Sequence, residues 1–229
     1  MVKSTLHADV LDVMGSRIVA GDYAPGAMLR TDDLETEFDV SRTVVREILK
    51  VLESMRMIAV RRAVGITVLD PRRWNVFDPR VIRWRLSGEG RSDQLRSLTD
   101  LRFAIEPVAA GAAATKSARG VGKELVRLAE LMETTGARGD LDQFLLHDIA
   151  YHRLLLEASG NDMFASLGDV VAEVLTGRTA HHLMPDHPKS VARRLHKLVA
   201  ESVQNGDSRT AESAMRELLS EVEQQLTTL

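Results

Sequence analysis

The sequence predicts a mainly α-helical protein in two parts, a small N-terminal winged helix-turn-helix and a C-terminal bundle made only of helices. In the first seventy residues, helical segments and turns precede two β-branched runs, whereas beyond Ser92 apolar residues recur only at helical spacing. With 229 residues, 44% of them hydrophobic, each part has enough apolar side chains for a core. We therefore expect a winged helix-turn-helix at 1–70, a linker with a short helix at 71–91, and an all-helical domain at 92–229.

The composition excludes several kinds of site. The chain has no cysteine, which rules out disulfides, thiol catalysis, thiolate zinc sites and iron–sulfur clusters. Its longest purely small or apolar stretch, residues 107–114, is far too short to cross a bilayer. Near the N-terminus, Asp9 and Asp12 interrupt what would have to be the apolar run of a signal peptide. We expect a cytoplasmic protein that does not engage a membrane.

The first two helices are predicted from apolar spacing and turn residues. Helical spacing over about residues 6–19 defines an apolar face of Val10, Val13, Met14 and Ile18. The turn sequence at 21–26 ends this helix. A second helix begins near Thr31, whose hydroxyl can cap it, and Asp32 and Asp33 suit the positive end of its dipole.

A third helix and a hairpin complete the predicted N-terminal domain. Ser41 is a natural N-cap for a helix that runs to about Met55. Its apolar stripe consists of Val45, Ile48, Leu49 and Leu52. Together with helix 31–38 and the tight turn between them, it forms a helix-turn-helix. The β-branched runs 58–60 and 66–68 then predict a hairpin with basic connecting residues, which is a wing.

Positive charge is concentrated around these elements. Residues 40–73 hold 8 basic and 3 acidic residues, whereas residues 1–39 hold 3 basic and 8 acidic residues. The start of the third helix carries an outward polar group made of Ser41, Arg42, Thr43 and Arg46. In a helix-turn-helix this end enters the major groove, where arginine binds guanine edges and hydroxyls contact bases or phosphates. The alternative is a helix cap beside ordinary solvated arginines.

Beyond the linker the sequence predicts six helices separated by Gly, Pro or Asn. They cover residues 93–116, 119–135, 140–158, 161–180, 188–205 and 207–227. Ionisable residues lie on the apolar stripes of three of them, namely Arg102, Asp148, His152 and His196. Each alone is commonly a satisfied core residue, and Asp148 with His152 can be an ordinary hydrogen-bonded pair. A buried carboxylate is costly without a partner, so four such residues in one domain favour a binding site.

The N-terminal part resembles the GntR family of bacterial transcription regulators, in which a winged helix-turn-helix is joined to a variable effector domain. The resemblance covers about residues 8–68 and is carried by Ile18-Val19-Ala20-Gly21, Pro25-Gly26, Leu29, Leu34 and Val40 through Leu49. It implies that Arg42, Thr43 and Arg46 read DNA. It also implies that Gly65 lets the wing tip, with Arg62 beside it, approach the minor groove.

Two positions depart from the usual pattern of that family. Val44 stands where proline is commonest, and Arg56 stands where a glycine usually ends the recognition helix. An operator sequence is therefore not transferable.

The C-terminal part resembles the FCD domain of the FadR subfamily, an all-helical fold, over about residues 95–222. The resemblance is carried by Leu101 through Pro107, Asp148 through His152, Ala158 through Asn161, His196 and the Asn205-Gly206-Asp207 turn. Many members bind a divalent metal through one Asp and three His, and a carboxylate effector completes the coordination. Asp148, His152 and His196 fall on three of these positions, and Leu218, which cannot ligate, falls on the fourth.

The resemblance therefore implies one of two sites. Three protein ligands can hold a divalent metal ion such as Zn²⁺ with open positions. Alternatively, the effector binds directly to Arg102 together with Asp148, His152 and His196.

The linker offers a further clue to function. Its residues Trp74, Asn75, Asp78, Val81 and Trp84 resemble those of regulators of the galactonate operon repressor type. The alternative is that the tryptophans only anchor a helix.

We expect a homodimeric repressor that binds double-stranded operator DNA and is released by a small carboxylate such as a sugar acid. A metal-dependent enzyme acting on a small carboxylic acid is the alternative, although no nucleophile motif or Gly-rich phosphate loop supports it.

Overall fold

Helices and one small sheet make up the computed structural model, which describes residues 2–61, 65–116, 120–181, 183, 185 and 187–227. The chain divides into two units, Met1–Ser92 and Asp93–Leu229. The N-terminal elements are α1 (Val2–Ala20), β1 (Met28–Leu29), α2 (Thr31–Phe38), α3 (Arg42–Ser54), β2 (Ile58–Arg61), β3 (Gly65–Val68), a 3₁₀ turn (Pro71–Arg73) and α4 (Pro79–Ser87). They are followed by α5 (Arg91–Lys116), α6 (Val121–Arg138), α7 (Leu141–Ala158), α8 (Asp162–Ala165), α9 (Gly168–Ala180), α10 (Ser190–Asn205) and α11 (Ser208–Thr227). The predicted fold class, a mainly α winged helix-turn-helix followed by a helical bundle, is confirmed.

The first unit is a helix-turn-helix packed on a three-stranded antiparallel sheet. The strand order is β1-β3-β2, and the hairpin of β2 and β3 pairs Arg61 with Gly65. The buried stripe of α3 is the predicted one, made of Val45, Ile48, Leu49 and Leu52. Gly65 has a φ of 103°, which a side-chain-bearing residue rarely adopts, so glycine allows the hairpin to close here. The two-residue strand β1 was not predicted from the sequence.

Two helix ends differ from the predicted capping. Arg30, not Thr31, is the N-cap residue of α2, and its side chain makes no capping hydrogen bond. Ser41 is the N-cap residue of α3 as predicted, again without a side-chain capping bond. At the other end, Arg56 has a φ of 58°, in the left-handed region. The missing glycine thus leaves Arg56 in a backbone conformation that costs a non-glycine residue about 1 kcal/mol.

Both linker tryptophans are buried in the core of the first unit. The Trp74 Nε1–H donates to the Leu69 carbonyl at 3.0 Å, and the Trp84 Nε1–H donates to Asp12 Oδ1 at 3.0 Å. The ring of Trp84 lies so close to Gly15 that a Cβ atom there would stand 2.4 Å from it. Much of the predicted linker therefore packs with the N-terminal domain, and α4 lies against α1.

The second unit contains no strand among its described residues. Helix α6 packs against α7 and α10, α10 packs against α11, and α7 packs against α9. The predicted helix 161–180 is two helices, α8 and α9. Between them the Ser166 hydroxyl donates to the Met163 carbonyl, and Gly168, a poor residue for a helix interior, begins α9. None of the described helices is both long and apolar enough to span a bilayer.

Candidate functional site

The first candidate site is the exposed start of α3. Ser41, Arg42, Thr43 and Arg46 are all exposed there. A groove of about 320 Å³ follows this face, lined by Arg42, Arg46 and Lys50 from α3 and by Val60 and Ile66 from the hairpin. Arg62, the sixth predicted DNA contact beside Gly65, lies outside the described residues.

Arg42 is partly neutralised within the first unit. Its Nη1 lies 3.6 Å from Asp32 Oδ1, and its Nε lies 3.9 Å from Glu35 Oε1. Both carboxylates come from α2, the helix that precedes the turn. Any phosphate that contacts Arg42 must therefore compete with two acidic side chains.

The second candidate site brings together the four ionisable residues that the helical stripes single out. Arg102 comes from α5, Asp148 and His152 from α7, and His196 from α10. Each of these residues is at most 5% exposed. They border a cavity of about 40 Å³, and Arg178 of α9 is a further cationic side chain in its wall. Since one water needs roughly 10–15 Å³ on this scale, the cavity has room for an ion with a few waters or for a very small acid.

Three donor atoms converge at this cavity. Asp148 Oδ1 lies 3.2 Å from His152 Nε2 and 3.3 Å from His196 Nε2, and the two Nε2 atoms are 3.4 Å apart. Ligands held at about 2.0–2.1 Å around a tetrahedral ion are separated by about 3.3–3.4 Å. Asp148 Oδ1 is buried and has no well-aligned hydrogen-bond donor, although both imidazoles are within ion-pair distance. An oxygen and two nitrogens at these separations fit a divalent cation.

The far side of each imidazole is held by the protein. His196 Nδ1 donates to the Ala192 carbonyl at 2.8 Å, which leaves its Nε2 to face Asp148 and His152. His152 Nδ1 lies 2.9 Å from Glu106 Oε2, an ion-pair contact that is poorly aligned for a hydrogen bond. Carbonyl and carboxylate partners on the outer nitrogen are typical of metal-binding histidines.

The charges in this cluster act strongly on one another. Burial alone would raise the pKa of Glu106, but Arg102 and His152 outweigh it and lower the pKa to about 2. Burial lowers the pKa of His152, yet Glu106 and Asp148 outweigh it and raise that pKa to about 9. The two histidines hold the pKa of Asp148 far below its usual value in spite of its burial. Glu106 and Asp148 thus favour a positive charge on the imidazole of His152.

Sequence reasoning missed two residues of this site, Glu106 and Arg178. Glu106 is fully buried, and it follows Arg102 by four residues on the same face of α5. Arg178 is 4% exposed and continues the buried stripe of Val171, Val174 and Leu175 on α9. Both lie at the helical spacing that identified Arg102, so the same pattern carried a signal for them.

Comparison with known families agrees with both units. Residues 7–68 match the model of the bacterial regulatory proteins of the gntR family, and residues 97–221 match the FCD domain. The chain belongs to the GntR family. This GntR-family chain carries a DNA-binding domain followed by an FCD domain, and the family consists of transcription regulators rather than enzymes. The enzyme alternative is thereby set aside.

Two relatives are named as transcriptional repressors, and a solved structure has a similar fold. The chain is 26% identical over 210 residues to the galactonate operon transcriptional repressor of Escherichia coli (strain K12), covering 90% of each chain. It is 27% identical over 144 residues to the gluconate operon transcriptional repressor of Bacillus subtilis (strain 168), covering 62% of this chain and 50% of that one. Its fold is similar to that of E. coli McbR/YncC, with a TM-score of 0.56, 19% identity and 97% of each chain covered.

The GntR family assignment relates each of the two sites to a property of the matched domain. Its helix-turn-helix domain binds operator DNA, and the exposed start of α3 lies in the matched region. FCD domains commonly bind metal, and Asp148, His152 and His196 form a buried potential metal cluster in this one. Leu218, which the resemblance places at the position of a fourth ligand, is 2% exposed and lines the same cavity.

Proposed function

We propose that this regulator is a cytoplasmic homodimeric repressor that leaves its operator when a small sugar acid binds the C-terminal unit. The observation that carries the proposal is the buried convergence of Asp148, His152 and His196 beside arginines, in a chain with a DNA-binding domain. In this proposal residues 1–70 are the DNA-binding domain, residues 71–91 are the linker, and residues 92–229 are the effector-binding domain. The names of the galactonate and gluconate repressors support both the repressor role and the sugar acid.

The proposed DNA contacts are Ser41, Arg42, Thr43, Arg46, Arg62 and Gly65. One recognition helix reads only a few base pairs, so a two-fold dimer on a near-palindromic site doubles the sequence that is read. Arg46 is the base-reading residue in this proposal, because it is exposed and, among the described residues, no ion pair like those of Arg42 with Asp32 and Glu35 involves it. The hydroxyls of Ser41 and Thr43 and the hairpin glycine Gly65 contact the DNA backbone, and these contacts fix the register of the protein on the DNA.

We infer that Asp148, His152 and His196 hold a divalent metal ion such as Zn²⁺. The donor separations, the buried Asp148 oxygen and the outer partners of both imidazoles support it. When bound, such an ion supplies a positive charge that attracts a carboxylate and a neighbouring hydroxyl. The three protein ligands leave further coordination positions, since Leu218 supplies none.

The size of the cavity links the acid to DNA release. At about 40 Å³, the cavity is too small for a six-carbon aldonate. Such an acid therefore binds only a conformation in which the walls of the cavity have moved apart. A ligand shifts an equilibrium only by its difference in affinity for the two states, and exclusion from the closed state gives a large difference.

The test is DNA binding by the metal-loaded dimer in the presence of acids. A labelled fragment of the region upstream of its own gene is titrated with protein, and D-galactonate or D-gluconate is then added while anisotropy is recorded. We expect release by an acid but not by galactitol, which lacks the carboxylate. Operator binding that no acid weakens would contradict the proposed effector. A parallel series with EDTA tests the metal, whose removal should weaken the response to the acid.

A further inference from the structure

A side chain of α3 is hydrogen-bonded to the strand that leads into the wing. Strand β2 lies at the edge of the sheet, because in the order β1-β3-β2 only β3 of the described strands is beside it. On its open side, the Val60 backbone N–H donates to Glu53 Oε1 at 2.9 Å. Glu53 belongs to the last turn of α3, and β2 ends at Arg61, next to the predicted wing tip. This hydrogen bond therefore ties the recognition helix to the wing.

Both partners of this bond line the groove of about 320 Å³ between α3 and the hairpin. The helix side of the groove carries three cations at every fourth position, Arg42, Arg46 and Lys50. Glu53 follows three residues later on the same face of α3, and it is the only acidic residue among the described ones that line the groove. A carboxylate here repels DNA phosphates and lowers affinity for every sequence. The hydrogen bond to β2 gives this otherwise unfavourable charge a role.

The recognition helix and the wing have to reach the DNA at the same time. In the proposed complex α3 enters the major groove and the wing tip approaches the neighbouring minor groove, so one phosphate backbone passes between them. The distance between α3 and the hairpin must therefore match the width of that backbone. A hairpin already held at this distance does not have to be ordered when DNA binds, and such pre-organisation increases affinity.

We propose that Glu53 is a positioning residue for DNA binding, which holds the wing at the distance from α3 that spans one DNA backbone. This assignment rests on the proposed contacts of the wing, those of Arg62 and Gly65. Glu53 itself touches neither base nor phosphate, since it acts through Val60 and the hairpin. The role requires an acceptor oxygen rather than a charge, because an amide oxygen accepts the same N–H.

The experiment compares two neutral variants of the full-length protein, Glu53→Gln and Glu53→Met. Their side chains are similar in length, but only glutamine has an oxygen that can accept the Val60 N–H. Anisotropy of a labelled fragment from the region upstream of its own gene gives the affinity of each variant. We expect Glu53→Met to bind this DNA about 3- to 10-fold more weakly than Glu53→Gln, the contribution of one hydrogen bond. Glu53→Gln should bind at least as tightly as the wild type, because a charge that repels phosphates is gone.

Two further measurements separate positioning from a general structural role. In an Arg62→Ala background, where the proposed wing contact is lost, the affinities of the two variants should differ by less than about twofold. Without DNA, hydrogen exchange of the Val60 amide should be roughly tenfold faster in Glu53→Met than in Glu53→Gln. The melting temperatures of both variants should match the wild type, since Glu53 is exposed.

The possible results lead to distinct conclusions. Equal binding by the two variants overturns the proposal, as does a difference that persists in the Arg62→Ala background, because Glu53 would then not act through the wing. Equal exchange of the Val60 amide in both variants overturns it as well. Wild-type binding by Arg62→Ala alone would instead overturn the proposed wing contact, and this assignment with it. Failure of the acid to release the DNA would overturn the proposed effector without touching the comparison of the two variants.

Discussion

Replacing Glu106 by glutamine removes the negative charge that holds two cavity side chains. Glu106 Oε1 lies 2.6 Å from Arg102 Nε, and Oε2 lies 2.9 Å from His152 Nδ1, with all three residues buried. Glutamine keeps the shape, but its NH₂ group faces a donor, and Arg102 remains buried without its counter-charge. Breaking a buried ion pair in this way costs about 3–5 kcal/mol.

This cost predicts a large change in melting temperature. For a protein of this size one kcal/mol corresponds to roughly 3 °C, so Glu106→Gln should melt about 9–15 °C below the wild type. Loss of the carboxylate behind His152 should also weaken Zn²⁺ binding about 10- to 100-fold. Thermal unfolding followed by circular dichroism measures the first effect, and competition with a chromophoric chelator measures the second.

The control is an exposed pair in which the same two guanidinium nitrogens, Nε and Nη2, contact the two carboxylate oxygens. Glu124 contacts Arg127 at 2.6 and 2.8 Å, but both side chains are about half exposed. Because water already solvates these charges, Glu124→Gln should leave the melting temperature nearly unchanged. The double variant Arg102→Met/Glu106→Leu should melt closer to the wild type than Glu106→Gln, since no lone charge stays buried. A Glu106→Gln protein that melts with the wild type would refute the argument.

Three further substitutions test other parts of the chain. Arg46→Ala should reduce the preference for operator over random DNA without changing the melting temperature, because a bidentate base contact contributes about 1–3 kcal/mol to that preference; an equal loss on both DNAs would contradict it. Leu218→His adds an imidazole in the wall of the cavity and should tighten Zn²⁺ binding in chelator competition, whereas Leu218→Gln serves as the size-matched control. Arg56→Gly should raise the free energy of unfolding by about 0.5–1 kcal/mol in urea titrations, since φ there is 58°, and Arg56→Ala should give no such gain.

The parts of the fold predicted from the sequence are those that depend on local patterns. Helix α3 begins and buries its stripe as predicted, because apolar spacing and the N-cap residue are local signals. Strand β1 could not be predicted, since two residues form a strand only through pairing with β3, far along the chain. The break between α8 and α9 depends on packing. Gly168 is a weak local signal, and it does not predict the break by itself.

For the cavity residues, helical spacing predicts which face of a helix they lie on, but it does not predict which side chains they contact. That spacing directed Arg102, Asp148, His152 and His196 inward, and all four are buried together. It did not reveal that Glu106 occupies the binding edge of Arg102, because this depends on side-chain rotamers. Nor did it show that α9 lies beside α7 and brings Arg178 to the same cavity, because helix order in space follows from packing.

The carboxylates beside Arg42 affect how the protein searches genomic DNA for its operator. Asp32 and Glu35 act as built-in counterions, so fewer dissolved cations are released from DNA per contact and affinity depends less steeply on salt. They weaken binding to every sequence alike, because the phosphate backbone is the same everywhere. A chromosome offers on the order of 10⁶–10⁹ wrong sites, and a shorter stay on each of them leaves more of the protein free to reach its operator.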